Sequence, residues 1–248
     1  MHRFYLPPEE CQGNSLYLKE SEAHHALHVL RVRHGDRVTV LNGAGGQCLC
    51  QVQKGTHDSV QLQVLQRVSI PAPACRITLV QALPKGKLIE SIIQKATELG
   101  FAQIVPLIAE RSVIQLKGEE PEQKRTKWQS VAIEAIKQCG APWLPTVEAP
   151  VALRDFLAYR WPFEMALVGS LQSHSKHPRR YFEAFQQKHG RKPKAIGAWI
   201  GPEGDFTKDE LSKIQAAGAL PITLGPLVLR TETAAVYCLS VINYELQA

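Results

Sequence analysis

The sequence offers no run approaching the ~20 apolar residues that a bilayer-spanning helix needs, and its start, Met1-His-Arg-Phe-Tyr-Leu-Pro-Pro, lacks the apolar core of a secretory signal. Cysteine is scarce and scattered: six in 248 residues, with no Cys-x-x-Cys pair. That excludes a disulfide framework and leaves a zinc site without its usual ligand spacing. No serine or cysteine sits in a nucleophile elbow and no P-loop fingerprint occurs, so phosphate-loop, pyridoxal phosphate, flavin and zinc-hydrolase chemistries lack their anchors. Internal repeats and low-complexity tracts are absent too. Charged residues make up 21% of the chain against 44% hydrophobic, too few for wholesale disorder. The expectation is a cytoplasmic globular protein of one large domain or two modest ones, with no membrane partner and no bound metal.

What the chain has in excess is positive charge: 29 Lys plus Arg against 23 Asp plus Glu, a net +6. Such an excess is compatible with a polyanionic partner, although it does not require one.

Residues 1–70 have the texture of a small β-barrel. Arg37-Val-Thr-Val-Leu, Gln47-Cys-Leu-Cys-Gln-Val-Gln and Ser59-Val-Gln-Leu-Gln-Val-Leu-Gln alternate with the period of two of half-buried strands, separated by turn signals at 34–36, 42–46 and 54–58. One helix is expected from Ser21 through Leu30, and Ile70-Pro-Ala-Pro-Ala74 reads as a linker. From 75 to 248 strand and helix alternate. Strands are expected at 76–83, 103–108, 165–169, 195–200 and 222–224, with helices at 86–99, 124–139, 179–189, 207–217 and 232–246. Continuous apolar strands alternating with helices predict an α/β domain with a mostly parallel sheet covered on both faces. Ligands of such sheets bind beyond the carboxyl ends of the strands.

Three of the four loops at those ends are unusual. Ile200-Gly-Pro-Glu-Gly-Asp-Phe206 can press its backbone against a ligand, or it is a plain strand-to-helix turn. Leu224-Gly-Pro-Leu-Val-Leu-Arg-Thr-Glu-Thr-Ala-Ala235 can present backbone groups to a planar ring, while Glu232 also suits the positive start of a helix and Arg230 its pairing partner. Leu83-Pro-Lys-Gly-Lys87 puts two lysines at a helix start, fit either for an anion or for solvent. Glu110-Arg111-Ser112 ends another strand, where catalytic groups often sit. In the first module His24, His25 and His28 precede Arg31-Val-Arg33-His-Gly-Asp-Arg37 and read as solvated or RNA-facing, because no ligand set completes a metal site.

Lys85-Gly-Lys87-Leu-Ile-Glu90, Lys95-Ala-Thr-Glu98-Leu-Gly100, Glu110-Arg-Ser112, Ile200-Gly-Pro-Glu-Gly204 and Leu229-Arg-Thr-Glu-Thr-Ala234 occur in that order. The series resembles the bacterial 16S rRNA uridine-N3 methyltransferases of the SPOUT class. His28-Val-Leu-Arg31-Val-Arg33-His-Gly-Asp36 looks like that family's PUA-like RNA-binding β-barrel, so the resemblance covers nearly the whole chain. It implies a C-terminal trefoil knot within 75–248, a homodimer, and S-adenosylmethionine held by three loops. Gly169 and Leu171 would come from the first, Ile200, Gly201, Pro202, Glu203 and Gly204 from the second. Leu224, Gly225, Leu227, Leu229, Thr233 and Ala234 would come from the third. The acceptor would be one uridine of 16S rRNA in the small ribosomal subunit.

Uridine N3 carries a proton and is a poor nucleophile until it leaves, so either a base removes it or cations stabilise the anionic uracil. Arg230, Arg111 and Lys85 are candidates for the cationic role and Glu232 for the base, with a helix-start role for Glu232 left open. Arg3, Arg31, Arg33, Arg37, Lys85 and Lys87 are the candidate RNA contacts. Two departures stand out: Gln138-Cys-Gly-Ala141 lacks the arginine usual after the family's glycine, and Asp205 stands where a third glycine is frequent, its carboxylate read as sitting at the next helix's start. Rival readings are a ribose 2′-hydroxyl acceptor and a non-catalytic assembly factor. Neutralising Arg31 or Arg33 is expected to weaken RNA binding and lower the salt slope of log K by about one each. An unchanged slope for the double variant in a salt titration would remove this module from the RNA interface.

Overall fold

The structure, a computed structural model, describes residues 1–56, 58–112, 120–159, 161–172 and 174–247. It divides into two compact units: 1–72 with 133–144, and 73–132 with 145–248. The expected turn at 54–58 includes His57, which lies outside the described residues.

In the first unit, β1 (Arg3–Tyr5), β2 (Ser15–Lys19), β3 (Arg37–Leu41), β4 (Gly46–Gly55) and β5 (Ser59–Ser69) form one sheet in the order β1-β3-β4-β5-β2. The sheet curls into a half-barrel. β1 runs parallel to β3, and the other pairs are antiparallel. Alternation does the folding: Cys48, Cys50 and Val52 of β4 and Val60 and Leu62 of β5 point inward with Phe4, Leu16, Leu18, Val38 and Val40. Burial pushes the Cys50 thiol up to about 12, so it behaves as a small apolar side chain. Register shifts between Leu49 and Cys50 and between Val52 and Lys54 bend the long β4–β5 ribbon. The helix expected from Ser21 is α1 (Glu20–His24), which widens into a π turn over His25–Val29, where the Leu30 N–H reaches the His25 carbonyl five residues back. The His24 and His28 ring centroids lie 4.7 Å apart with the planes tilted by 39°, and no cluster of three metal-ligating side chains occurs among the described residues.

The second unit comprises β6 (Arg76–Ala82), α2 (Leu88–Glu98), β7 (Gln103–Ile108), α3 (Glu120–Cys139), β8 (Thr146–Val147), β9 (Val151–Ala152) and α4 (Leu153–Ala158), then β10 (Met165–Gly169), α5 (Pro178–His189), β11 (Ala195–Ile200), α6 (Lys208–Ala216), β12 (Ala219–Ile222) and α7 (Thr231–Gln247). Its sheet runs β12-β10-β11-β6-β7-β8, with β9 also on β7, and every pairing is parallel. After β11 the chain passes β10 to form β12, then returns so that α7 packs on α2 and β11. The last strand ends at Ile222 rather than Leu224. Pro221 is tolerated there because β12 is an edge strand, and 223–230 become loop. No described helix is long and apolar enough to cross a membrane.

The last turns of α3 and the loop after it cluster with the first unit. Lys137, buried, makes ion pairs of 2.6 Å with Glu22 and 2.9 Å with Glu134. Arg3 donates to the Lys137 and Gln138 carbonyls at 3.3 and 2.8 Å, supplying donors to the end of α3. The Trp143 indole donates to the Ile70 and Pro71 carbonyls, and Gly45 donates to Pro142. Gly45 has φ +85°, and a Cβ there would lie 2.5 Å from the Ile70 carbonyl oxygen and 2.6 Å from the Trp143 ring. Gly45→Ala is therefore expected to cost about 3 kcal/mol, read as a lowered urea midpoint. An unchanged midpoint would mean that this loop gives way freely.

Candidate active site

The carboxyl ends of β6, β10, β11 and β12 share one edge of the parallel sheet, and the loops leaving them meet there. The loop after β10 is laced to β12: Ser170 donates to the Ile222 carbonyl at 3.0 Å, Lys176 to Pro221 at 3.2 Å, and Thr223 back to Lys176 at 3.0 Å. The loop after β11 turns tightly, with the Asp205 N–H on the Pro202 carbonyl at 2.9 Å and Asp205 itself at φ +59°. A side chain at Gly201 would put its Cβ 2.9 Å from Asp205 Oδ1 and 3.2 Å from the Phe206 nitrogen, so this corner requires glycine. The loop after β12 starts on an ST turn, Thr223 Oγ1 accepting from Gly225 at 3.2 Å.

One hydroxyl joins three of these elements. Thr231, at the start of α7, donates to the Gly201 carbonyl at 2.7 Å and accepts from Gln81 Nε2 of β6 at 3.0 Å. Gln81 is fully buried, and its Nε2 also reaches the Ala82 carbonyl at 2.9 Å. Glu203 adds a second tie, accepting the Lys85 N–H at 2.9 Å from the loop after β6. A third comes from Arg111, which donates to the Gly204 carbonyl, while the Glu110 N–H bonds Glu210 at 2.8 Å in the Thr207–Glu210 capping box of α6.

The loops enclose a cavity of about 300 Å³. Its wall is mostly leucine, isoleucine, proline and backbone; two carboxylates, Glu203 and Asp205, line it, and no lysine, arginine or histidine does among the described residues. Burial pushes the Asp205 carboxyl above the ordinary range, opposed by the Phe206 N–H it accepts at 2.8 Å and by the nearby Arg111 charge. Such a wall suits a compound with a flat ring, an apolar middle and a positive charge.

A family model for the RNA methyltransferase domain matches residues 71–243, and one for the RNA methyltransferase PUA domain matches 18–65. The ribosomal RNA small subunit methyltransferase E of Bacillus subtilis is 31% identical over 99% of this chain and 97% of its own. The chain belongs to the ribosomal RNA small subunit methyltransferase E family. Among solved structures, a methyltransferase of Legionella pneumophila with bound S-adenosylmethionine superposes with a TM-score of 0.87 at 32% identity, covering 98% of this chain and 96% of that one. The Neisseria gonorrhoeae ribosomal RNA small subunit methyltransferase E, also bound to S-adenosylmethionine, gives a TM-score of 0.84 at 27% identity, with coverages of 98% and 97%.

In this family member the sequence-predicted loop residues divide unevenly. Gly169 and Leu171, Ile200 through Glu203, and Leu224, Gly225, Leu227, Leu229 and Ala234 line the cavity. Gly204 does not: it forms the outer corner of its turn, beneath Arg111. Nor does Thr233, because on α7 positions 231 and 234 share the inner face and 233 turns to solvent. Missed were Ser170, Gln172, Thr223, Pro226, Val228, Thr231 and Asp205. Most adjoin predicted residues, and loop contiguity was the available signal. Asp205 does not cap the following helix; Thr207 does, and Asp205 Oδ1 accepts the Phe206 N–H within the turn, beside the cavity residue Gly201.

Arg230 is exposed and Glu232 half-buried, on either side of Thr231, and neither side chain has a hydrogen-bond or ion-pair partner among the described residues. Arg31, Arg33, Arg37, Lys85 and Lys87 are exposed, whereas Arg3 is half-buried and committed to the α3 carbonyls. Thr231→Val keeps the shape but strands the Gln81 amide and the Gly201 carbonyl, and is expected to cost about 2 kcal/mol in chemical denaturation, with Thr231→Ser recovering most of it. Equal stability of the valine and serine variants would contradict this.

Proposed function

We propose that the chain methylates N3 of a specific uridine in 16S rRNA, using S-adenosylmethionine, as a homodimer acting on the assembled small ribosomal subunit. The observation that carries the reading is the three-loop cavity, acidic and apolar inside, with Arg230 and Glu232 unpaired beside the residue that anchors it. The wall residues fit the cofactor: backbone groups of 224–229 for the adenine edge, leucine and isoleucine for its faces, carboxylates for its cationic end. When bound, S-adenosylmethionine supplies an electrophilic methyl group on a sulfonium.

The chain's own part is alignment and charge. The loops hold the donor in one orientation, converting a bimolecular displacement into a positioned one. Arg230, next to the buried Thr231, is assigned the stabilisation of the uracil anion as the N3 proton departs, and Glu232 the role of base. Arg111, tethered to Gly204, supports the second loop. Arg31, Arg33, Arg37, Lys85 and Lys87 supply the phosphate contacts, and the target base is extruded to reach the site. Leu227 and Val228 on the cavity loop and Tyr237 and Tyr244 on α7 are exposed, and a second copy would cover them. The return of α7 past β11 is the path expected of the trefoil-knotted terminus that the family resemblance implies.

The test is methyl transfer from labelled S-adenosylmethionine to small ribosomal particles from a strain lacking this modification, with naked 16S rRNA in parallel. N3-methyluridine on nucleoside mass spectrometry is expected, and Arg230→Ala is expected to lower kcat by roughly a hundredfold or more with cofactor affinity retained. Label on ribose would move the acceptor to the 2′-hydroxyl. Absence of cofactor binding would favour an assembly factor without catalysis.

A further inference from the structure

Methyl transfer changes the charge of the cofactor. S-adenosylmethionine carries a sulfonium, an ammonium and a carboxylate, a net +1, whereas S-adenosylhomocysteine has lost the sulfonium charge and is net neutral. A cavity that must exchange product for donor after each turnover benefits from sensing that difference, because a product bound as tightly as the donor competes with it for the site.

The wall of this cavity has the means. Its charged side chains among the described residues are Glu203 and Asp205, both acidic. Glu203 is exposed and spends one oxygen on the Lys85 N–H. Asp205 is half-buried and held at φ +59°, a left-handed conformation where glycine is at ease and aspartate is among the few others tolerated. Its Oδ1 is fixed by the Phe206 N–H at 2.8 Å, and the cation near it, Arg111, does not line the cavity and donates to the Gly204 carbonyl. The carboxylate is therefore oriented rather than free, in a setting of reduced solvent screening.

We infer that Asp205 is a specificity-determining residue that makes the cavity prefer the cationic donor over its neutral product. This rests on the proposed reading of the cavity as the S-adenosylmethionine site. The distinguishing variant is Asp205→Asn, which keeps the Phe206 N–H acceptor, tolerates the left-handed backbone and removes only the charge; thermal unfolding verifies that the loop stays folded.

Isothermal titration would compare S-adenosylmethionine, S-adenosylhomocysteine and sinefungin, whose amine restores the positive charge without a transferable methyl. Asp205→Asn is expected to bind the two cationic ligands about tenfold more weakly and the neutral product as the wild type does. Equal weakening for all three would make Asp205 a loop-shaping residue, and no change would remove it from recognition; either result overturns the inference while leaving the site intact. Failure of the wild type to bind any of the three would overturn the cofactor reading itself, and the inference with it.

Discussion

The Thr231 hydroxyl connects chain segments 150 and 30 residues away, Gln81 on β6 and Gly201 in the loop after β11. Apart from the lacing of the loop after β10 to β12, the loops that wall the cavity depend on a small number of such anchors for their positions. Thr231 is the one that also sets where α7 begins, and with it the placement of Arg230 and Glu232. Gln81 and Thr231 are buried, so loss of the hydroxyl leaves one Gln81 amide hydrogen without a substitute acceptor and unties the Gly201 carbonyl from α7. The Glu203–Lys85 and Arg111–Gly204 ties hold the same corner from the outer side.

Charge is divided across this site. Carboxylates line the cavity, while Arg230, Lys85 and Lys87 stand exposed outside it. A small cationic ligand within and a polyanion without are what such a division favours. In the first unit the same economy appears in Lys137, whose buried ammonium is matched by Glu22 and Glu134 rather than left for RNA.

Much of the framework was legible because its signals are local. Period-two alternation marks β3, β4 and β5, and continuous apolar runs mark β6, β7, β10 and β11. The Thr207–Glu210 capping box marks the start of α6. The two-residue strands β8 and β9 are too short to have a period, and β12 is blurred by Pro221. The assignment of 133–144 to the first unit was invisible, since α3 continues through that point without a break in its helical pattern. Arg3 reads as a surface cation in sequence, and only its distance to the α3 carbonyls reveals its structural work.

By itself the sequence determined the two textures of the chain, the order of its longer strands and helices from residue 75 onward, and the loops that carry the Gly-Pro-Glu-Gly and Leu-Arg-Thr-Glu-Thr-Ala stretches. Those properties follow from residue periodicity and motif spacing along the chain. Tertiary structure decided which residues of those loops face inward. Thr231 and Ala234 line the cavity but Thr233 does not, because helical rotation separates them; Asp205 does but Gly204 does not, because a left-handed turn reverses the backbone between them. It also decided that a glutamine on β6 would hold a threonine 150 positions later, a pairing set by the crossing of α7 over the sheet rather than by anything nearby in the chain.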